Sequence, residues 1–466
     1  MRAIACRVSP RSKLAAMREP GRLVRARSLA GKRTGFLWRK PGDGSRLANG
    51  PLYASYFLYI DGGFSVHKLG SVYPAVPKSC GIEAKERYFR ISGNYMPKPF
   101  IPDALPVQNL NWQRLTPLVG RANAAIARYD GFLQGLINPG VLMSPITTRE
   151  AVLSSSIEGT VATLSDVLQH EAGEEYEESK KQDIGEILNY RLALLQAEQM
   201  LDDRPLNLNL IRQTHAALLR GVRGEDKNPG AFRTDQVLVG RPTDTIETAR
   251  YVPPPPVILQ EHLEVWERYA SAEIDDPLVQ MAVLHAQFEI IHPFKDGNGR
   301  IGRILIPLYL FKRKVLHRPM FYLSEYLEEH RDEYYDRLLA ISEDGNWQEW
   351  IEFFLAASCH QAERNTIQAK KILNLYNEMK AAFADATHSQ YAQAALDAFF
   401  RKPILNSREF QKYTSVANRG TAATLLRNLE QNHLIKVLRR GSGRSPSRYV
   451  MPRLINIAED RIVFAE

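Results

Sequence analysis

Residues 292–303 read His-Pro-Phe-Lys-Asp-Gly-Asn-Gly-Arg-Ile-Gly-Arg, and this stretch organises the rest of the chain. It brings an imidazole, a carboxylate, a glycine-rich turn and two guanidinium groups close together. Pro293 lacks a backbone donor and restricts the residue before it, so His292 is predicted at the junction of a helix and a loop. Apolar residues recur at helical spacing upstream from Leu278 and downstream from Ile301. The stretch therefore predicts a helix, a short loop and a second helix.

The second helix of this pair is predicted to bind an anion at its N-terminus. The free N–H groups of a first helical turn and the positive end of the helix dipole attract phosphate. Gly297 and Gly299 let the backbone approach such a group without a Cβ in the way. Arg300 and Arg303 are neighbours on the first turn with few acids near them in sequence, which an anion between them would explain. Phe294 is predicted to anchor the loop in the core.

The stretch matches at every specified position the motif His-Pro-Phe-x-(Asp/Glu)-Gly-Asn-Gly-Arg-x-x-Arg, so the chain resembles the Fic family. The resemblance implies transfer of AMP from ATP to a Ser, Thr or Tyr hydroxyl of a target protein. It implies that His292 deprotonates this hydroxyl and that Asp296 holds Mg²⁺ on the nucleotide phosphates. A neutral imidazole, with an ordinary pKa of ~6.5, is a competent base at neutral pH. The nucleotide-binding residues implied are Gly297, Asn298, Gly299, Arg300, Ile301, Gly302 and Arg303.

Within this set, the resemblance implies that Asn298 and the glycine amides bind the α-phosphate, and that Arg300 and Arg303 bind the β- and γ-phosphates. The related Doc-like kinases have Lys after Asn-x and lack the second arginine, so the Gly-Asn-Gly sequence argues against that branch.

Upstream, Ser154-Ser-Ser-Ile-Glu158-Gly resembles the inhibitory motif of the family, (Ser/Thr)-x-x-x-Glu-(Gly/Asn). We predict that it lies on a helix that begins with a capping box at Thr147 and Glu150 and ends near the glycine. By resemblance, Ser154 and Glu158 are inhibitory, because Glu158 pairs with Arg303 and displaces the γ-phosphate. A solvated helical glutamate is the alternative.

Two β-prone runs, residues 230–240 and 250–256, predict a hairpin in an otherwise helical protein. They resemble the Fic flap, which holds the target segment by strand addition. Leu238, Val239 and Gly240 would form the docking strand. An ordinary surface hairpin is the alternative.

Tyr334 and Tyr335 resemble a stretch that closes over the nucleotide in related proteins. Two adjacent residues cannot both face the core from one helix, so one tyrosine is free to meet a ligand. The alternative is that Tyr334 and Tyr335 only pack between the core and the surface and contact no ligand. Some relatives have Asn at the position of Ser342. Whether Ser342 can make the polar contact of that Asn is therefore in question. His285 is predicted to be a hydrogen-bonded packing residue and not a ligand.

The composition of the chain limits the number of domains, the kind of partner and the cellular location that can be expected. The chain has 466 residues, of which 44% are hydrophobic, enough for two or three domains. No apolar run approaches the length of a membrane span, so no membrane partner is expected. The three cysteines, Cys6, Cys80 and Cys359, are too few and too scattered for a disulfide framework or a zinc site. A reducing cytoplasm is the expected location.

The net charge of +9 is concentrated at the N-terminus, since residues 1–95 hold 18 basic and 5 acidic side chains. Residues 96–466 hold 43 and 47. The basic segment shows little periodicity, which favours disorder. A nucleic-acid-binding arm and a transit sequence are alternatives. We prefer the interpretation that translation naturally starts at Met96 and that the residues before it come from an over-extended gene model. This interpretation follows by analogy with Fic proteins that begin near such a segment.

Residues 401–450 form a second basic region, with 11 basic and 2 acidic side chains. Helices at about 406–413 and 419–431, followed by two β-prone runs around a glycine-rich turn, predict a winged helix. DNA could bind its exposed basic groups, and protein docking or dimerisation is the alternative. The candidate DNA contacts are Arg419, Arg427, Arg440 and Arg444.

The expected protein is mostly α, with a Fic helical core, a β-hairpin flap and a C-terminal winged-helix domain. Its predicted regions are a basic N-terminus (1–95), a helical region with the inhibitory helix (96–205), the Fic core (206–360), and a helical connector with the winged helix (361–466).

The expected function is protein adenylylation with ATP and Mg²⁺, autoinhibited by Glu158. One alternative is the reverse reaction, removal of AMP, with Glu158 positioning water. Another is a nucleotide-sensing DNA-binding regulator, against which the intact His292 argues because sensing needs no base. The partners expected are a target protein and, as relatives suggest, a second copy of the chain.

Overall fold

The computed structural model describes the backbone of four short strands before residue 98, and residues 99–465 apart from 242, 443 and 444. The chain divides into two compact units, Met1–Arg87 and Tyr88–Glu466. Among the described residues, no helix combines the length and apolarity needed to cross a bilayer.

The four short strands form two antiparallel pairs. Strand β1 (Ser55–Ile60) pairs with β2 (Gly63–Lys68), and β3 (Tyr88–Ile91) pairs with β4 (Asn94–Pro97). These strands lie almost wholly within the basic region of residues 1–95, and the disorder predicted for the remainder of that region stays a prediction. Aromatic residues favour strands, and the Asp-Gly dipeptide between β1 and β2 is a common hairpin signal that the sequence analysis did not use. The other residues of this region, including those assigned to an over-extended gene model, lie outside the described part of the chain.

The rest of the described chain is mostly helical, as predicted. The helices are α1 (Trp112–Gln134), α2 (Pro139–Leu142), α3 (Ser144–Ile157), α4 (Leu164–Glu171), α5 (Glu178–Asp203), α6 (Leu208–Leu218), α7 (Pro256–Ser271), α8 (Pro277–Ile291), α9 (Asn298–Lys312), α10 (Ser324–Glu329), α11 (Arg331–Asp344), α12 (Trp347–Thr387), α13 (Ala392–Arg401), α14 (Ser407–Thr414), α15 (Arg419–Gln431) and α16 (Pro452–Glu459). The remaining strands are β5 (Ile404–Asn406), β6 (Lys436–Arg439) and β7 (Arg448–Val450).

Helix α8 lies at the centre of the core and carries the site at its C-terminal end. It is apolar on nearly all sides, which is the pattern of a helix surrounded by other elements. The indole N–H groups of Trp266 on α7 and Trp350 on α12 donate to its carbonyl oxygens, at 2.9 and 2.8 Å. Both indoles are buried, so these bonds satisfy polar groups that would otherwise be costly. They fix α8 between its neighbours.

The predicted capping box at Thr147 is wrong. Helix α3 begins earlier, at Ser144, because Pro145 fits the first turn of a helix, where its missing N–H costs nothing. Glu150 is buried and accepts hydrogen bonds from Tyr190 Oη (2.9 Å) and Ser324 Oγ (2.6 Å). Burial raises the pKa of Glu150 to about 7. This glutamate therefore joins α3 to α5 and α10 and is not a cap.

The C-terminal module (residues 392–459) contains short helices and a three-stranded sheet, and its assignment as a winged helix stays a prediction. Its sheet has the order β5-β7-β6, with all neighbours antiparallel. The module packs on the N-terminal helices, since Ser144 Oγ donates to Arg401 O (2.9 Å) and Arg448 pairs with Glu174. The predicted boundary at residue 360 falls inside α12, which runs without a break from the core towards this module.

The positive charge of this module is less available than its composition suggested. Arg440, one of the candidate DNA contacts, is paired with Glu430 at 2.5 Å. Arg444 lies outside the described residues. Arg419 and Arg427 are exposed on α15. The pairing of Arg440 is not visible in the sequence, because Glu430 approaches it only when β6 folds back beside α15.

Candidate active site

The loop between α8 and α9 has the geometry that its sequence predicted. Helix α8 ends at Ile291, and His292 follows in the left-handed conformation with φ 49°. Gly297, with φ 77°, precedes the first residue of α9. Phe294 is fully buried, as predicted, and holds the loop against the core. The N-terminus of α9 therefore points its free N–H groups towards the same space as His292.

The side chain of Asn298 is engaged within its own loop. Its side chain accepts a hydrogen bond from Phe294 N (2.8 Å) and donates one to Phe294 O (2.9 Å), and the residue is 2% exposed. Both ends of the amide are used to close the loop on itself. The side chain thus holds the loop closed, and the contact with the α-phosphate that the resemblance implies for Asn298 stays a prediction.

Arg233 holds the backbone at His292, and the sequence analysis assigned it no role. Its guanidinium donates to His292 O (2.8 Å), Ile291 O (3.2 Å) and Pro254 O (2.6 Å). Burial lowers the pKa of Arg233 to about 10, which still leaves it charged. These bonds stabilise a left-handed conformation that a histidine rarely adopts. Arg233 is therefore a positioning residue for His292.

The ring of His292 is held in one tautomer. Its Nδ1 lies 3.2 Å from Glu289 O, a carbonyl that can only accept, so Nδ1 carries the proton and Nε2 is free. Burial lowers the pKa of His292 to about 4. The imidazole is therefore neutral at pH 7, and Nε2 can accept a proton from a hydroxyl that comes within hydrogen-bonding distance of it.

His215 on α6 is a second residue that the sequence analysis missed. Its Nδ1 accepts from Gly230 N (2.8 Å), and its Nε2 donates to Asp296 O (2.9 Å). The ring stacks on Phe294, with centroids 3.7 Å apart. It therefore joins the start of the predicted flap to the loop, and burial lowers its pKa to about 4. A lone histidine on an amphipathic helix carries no signal of this role.

Protonation of His215 is expected to cost stability, because a proton on Nδ1 would face the N–H of Gly230. Its pKa is below the ordinary 6.5 in the folded protein, so its contribution is present above pH 6.5 and is lost as the pH falls towards 4. The contribution is at most about 3 kcal/mol. We expect the melting-temperature advantage of wild type over His215→Gln to be largest above pH 6.5 and to shrink below it. A difference that is constant with pH would contradict this role.

Arg303 is bound by the two residues that the inhibitory motif singled out. Its Nε donates to Ser154 Oγ (2.8 Å), and its Nη2 donates to Ser154 O (2.7 Å) and to Glu158 Oε1 (2.6 Å). The Arg303 side chain is 2% exposed, and that of Glu158, just past the end of α3, is 34% exposed. Burial alone would raise the pKa of Glu158, but Arg303 outweighs it and the pKa is lowered. The two groups are therefore a charged pair at neutral pH.

Arg300 and Arg303 have few acidic residues near them in sequence, but in the folded structure acidic side chains lie beside both of them. The expectation that they lack acidic neighbours is therefore wrong. Arg300 pairs with Glu186 on α5 at 2.7 Å, and Asp296 lies 3.4 Å from it. Glu186 also accepts from Arg223 at 2.5 Å. Because α5 is more than 100 residues away in sequence, local charge counting could not detect this carboxylate. Both arginines are thus compensated by glutamates from other helices.

Asp296 has an accessible carboxylate beside the N-terminus of α9, and its implied role in holding Mg²⁺ stays a prediction. One carboxylate oxygen accepts from Gly297 N (2.6 Å), and the side chain is 41% exposed. Among the described residues, no three side chains of metal-binding type lie together. Mg²⁺ usually binds one or two carboxylates, water and substrate phosphates, and does not need a protein cage. A single accessible carboxylate beside the α9 N-terminus fits that requirement.

His292, Glu158 and Arg303 line a cavity of about 140 Å³. Its lining residues are Glu158, Val239, Arg250, Tyr251, Glu289, Ile290, His292, Gly299, Arg303, Tyr334, Tyr335, Leu338 and Leu339. A mostly apolar lining with a few polar groups is typical of small-molecule sites.

The two tyrosines of α11 differ in how they meet the cavity. Tyr334 is buried, and its hydroxyl is 2.9 Å from His285 Nε2, so its polar atom is already used. His285 donates from Nδ1 to Gly302 O (3.2 Å), in agreement with its predicted packing role. Tyr335 is less buried and lies under the Arg250 guanidinium, 5.6 Å from its ring centroid. Tyr335 is therefore the one available to a ligand. Ser342 donates to Leu339 O (2.8 Å) within its own helix.

The predicted hairpin is reduced to a single antiparallel bridge, between Val239 and Tyr251. Their backbones exchange two hydrogen bonds of 3.0 Å, and no longer strand forms on either side. The chain on the Tyr251 side continues into prolines, which cannot donate to a ladder, and the carbonyl of Pro253 accepts from Gln236. Leu238 and Gly240 flank the bridge, and Val239 lines the cavity.

Two parts of the chain match family models. Residues 116–199 match the Fic/DOC family N-terminal domain, and residues 205–310 match the Fic/DOC family domain. The chain therefore carries two adjacent regions that match models of this family.

Two relatives illustrate the range of this similarity. "Protein adenylyltransferase Fic" of Aedes aegypti is 32% identical over 127 residues, which are 27% of this chain and 22% of that protein. A "probable protein adenylyltransferase" of Aquifex aeolicus (strain VF5) is 31% identical over 96 residues, 20% of this chain and 28% of that protein. The chain thus matches about a quarter of the length of these relatives.

Solved structures of the family are also similar. A Fic family protein from Desulfovibrio desulfuricans G20 has a TM-score of 0.45 at 20% identity, covering 76% of this chain and 98% of that chain. Fic-1 of C. elegans has a TM-score of 0.42 at 21% identity, covering 55% of this chain and 76% of that chain.

Proposed function

We propose that this protein transfers AMP from ATP to a hydroxyl group of a target protein. The observation that carries the proposal is the neutral ring of His292, whose free Nε2 lies in the same cavity as the N-terminus of α9 and the Arg303 guanidinium. A base beside an anion site is what nucleotidyl transfer requires. The names of the curated relatives support the same reaction.

In this reaction, Nε2 of His292 accepts the proton as the target hydroxyl oxygen attacks the α-phosphorus of ATP. A bond forms between that oxygen and phosphorus, and the bond to the β-phosphate oxygen breaks, releasing pyrophosphate. Backbone N–H groups at the start of α9 hold the α-phosphate, where Gly299 leaves room for it. Asp296 would hold Mg²⁺, which neutralises charge on the phosphates. Arg303 would hold the γ-phosphate once it is released from Glu158.

The flap is proposed to hold the target. Leu238, Val239 and Gly240 form one side of the bridge above the cavity, and the backbone beyond the bridge is not paired in a longer strand. An extended target segment could add to this short edge by main-chain hydrogen bonds. Such an interaction would place a side-chain hydroxyl near His292 without requiring a particular sequence.

The proposal is tested by incubating the full chain with ATP and candidate proteins from a cell lysate. Intact mass and peptide mapping would locate an added AMP on a Ser, Thr or Tyr side chain. The Glu158→Gly variant should be assayed beside wild type, so that a negative result cannot arise from inhibition. Absence of AMP from every protein, including the chain itself, in both variants would overturn the proposal.

DNA binding by the C-terminal module stays a prediction with one observation in its favour. Arg419 and Arg427 lie exposed on α15 and make no ion pair within the described residues, whereas Arg440 is paired with Glu430. We expect Arg419→Ala and Arg427→Ala to weaken DNA binding and reduce its salt dependence more than Arg440→Ala does. Gel-shift titrations at several salt concentrations would measure this. Equal effects of all three variants, or no shift for wild type, would favour protein docking or dimerisation.

A further inference from the structure

The inhibitory carboxylate of Glu158 lies in a short connection between α3 and α4, at residues 158–163. The C-terminal module is packed against both of these helices. Among the described residues, those that line the cavity with His292 and Arg303 all come from outside this module. The reaction proposed above gives the module no role. It is therefore placed to act on the inhibitory segment without touching the site itself.

On the α3 side, the module binds the first turn and the middle of the helix. Ser144 Oγ donates to the carbonyl oxygen of Arg401. Val152, less than two helical turns before Glu158, packs against a cluster that includes Ile455 of α16. The backbone hydrogen bonds of a helix hold these turns together as one rigid element, so the position of Val152 restricts the position of the helix end. The module thereby restrains the segment that leads into Glu158.

On the α4 side, the contact is a small hydrophobic core that is separate from the main core. It joins α4 to β5, β7 and α16 of the module, and each member is at most 2% exposed. Its members are Leu164, Leu168, Ala172, Ile404, Val450, Ile455 and Ala458. Next to it, Asn406 Nδ2 donates to Ala172 O at 3.3 Å, and Arg448 pairs with Glu174. Movement of α4 away from the module would expose this core to water.

We propose that the C-terminal module is a regulatory element that keeps Glu158 on Arg303 by fixing the helices on both sides of it. A carboxylate competes with the γ-phosphate only while the fold keeps it within reach of the guanidinium, which sets its local concentration. Movement of the module away from α3 and α4 would therefore weaken the inhibition and raise AMP transfer. This inference rests on the proposed function, because AMP transfer is the activity that the module would control.

Two variants of the full chain loosen this attachment without changing α3 or the cavity. Ile455→Ala removes apolar volume from the shared core on the module side. Glu174→Gln removes the charge that pairs with Arg448. Each variant should raise the rate of AMP transfer by about two- to tenfold, a usual size for coupling between distant parts of a protein. The gain should stay below that of Glu158→Gly, because α10 and α11 still bind the end of α3.

Glu378→Gln is the matched control for Glu174→Gln. Glu378 of α12 also pairs with an arginine of the module, Arg453, at 2.6 Å, but this pair joins α16 to α12 and not to α3 or α4. The same exchange at this position should leave the rate of transfer near wild type. A second control places each variant in the Glu158→Gly background. The inhibitory carboxylate is then gone, so neither Ile455→Ala nor Glu174→Gln should raise the rate further.

Hydrogen exchange of residues 144–160 gives a readout besides activity. Ile455→Ala and Glu174→Gln should make exchange faster in this segment, and Glu378→Gln should not. Wild-type rates of transfer in both variants, beside an active Glu158→Gly protein, would overturn the inference. Gains that persist in the Glu158→Gly background would overturn it as well, because they would not act through the carboxylate.

The remaining outcomes are also decisive. If Ile455→Ala does not fold, Glu174→Gln, which replaces a half-buried side chain in a loop, decides the question alone. If Glu158→Gly itself transfers no AMP, the proposed function fails. The exchange data then decide whether the module holds the segment.

Discussion

Replacing Glu158 by Gly is expected to raise AMP transfer by roughly tenfold to hundredfold. The carboxylate accepts from Arg303 at 2.6 Å and occupies the guanidinium that the γ-phosphate of ATP would need. A hydrogen bond between charged groups contributes about 1.5–3 kcal/mol, which corresponds to this range of rates. Glu158 has a φ of −87°, so glycine introduces no need for a new backbone conformation. Transfer to the chain itself or to a target is measured by the mass of AMP added with time.

A double-mutant cycle tests whether the gain comes from Arg303. Glu158→Gly combined with Arg303→Ala should lose the gain, because the γ-phosphate then has no partner, and the two changes should not be additive. Glu175→Gly, which removes an exposed loop carboxylate outside the site, is the matched control and should leave the rate near wild type. Unchanged activity in Glu158→Gly would reassign Glu158 to the surface. Loss of AMP release from a modified target would instead favour the reverse reaction.

Replacing His292 should reduce transfer by about 10²- to 10⁴-fold, the usual contribution of a general base. Nucleotide binding should be nearly unchanged, since Arg303, Asp296 and the start of α9 remain. His292→Asn is the preferred variant, because asparagine tolerates the left-handed backbone at this position and cannot act as the base. Single-turnover rates and equilibrium ATP binding, measured separately, distinguish the two effects.

His388 offers a matched control for the backbone of His292. It also follows the end of a helix in the left-handed region, with φ 46°, and it lies exposed and far from the site in sequence. His388→Asn should therefore keep full activity with a similar change in conformational preference. If His292→Asn weakens ATP binding as much as it slows transfer, His292 contributes to binding and is not the base.

The loop and its flanking helices were predictable because their determinants are local. Pro293 and the glycines restrict or free their own backbone angles, and apolar periodicity marks the helices on either side. The resemblance of residues 154–159 to an inhibitory motif likewise led to Glu158, which contacts Arg303 as implied. In each case a few consecutive residues carry the information.

Other features depend on residues that meet only after folding. Glu186 compensates Arg300 across more than 100 residues, and His215 and Arg233 support the loop from other elements. Nothing in the sequence near these residues marks such contacts. The side chain of Asn298 turned inward, and Tyr334 was committed to His285, because each found a partner in the core. The flap kept one bridge, since side chains bind the carbonyls of its prolines.

The contact between Glu158 and Arg303 joins two parts of one polypeptide. A tethered carboxylate of this kind has a local concentration set by the fold, so dilution of the protein cannot weaken it. Only an increase in free ATP, or a movement of α3, changes the balance between carboxylate and phosphate on the guanidinium. The restraint would therefore respond to the nucleotide supply and to whatever displaces α3, but not to the abundance of the protein.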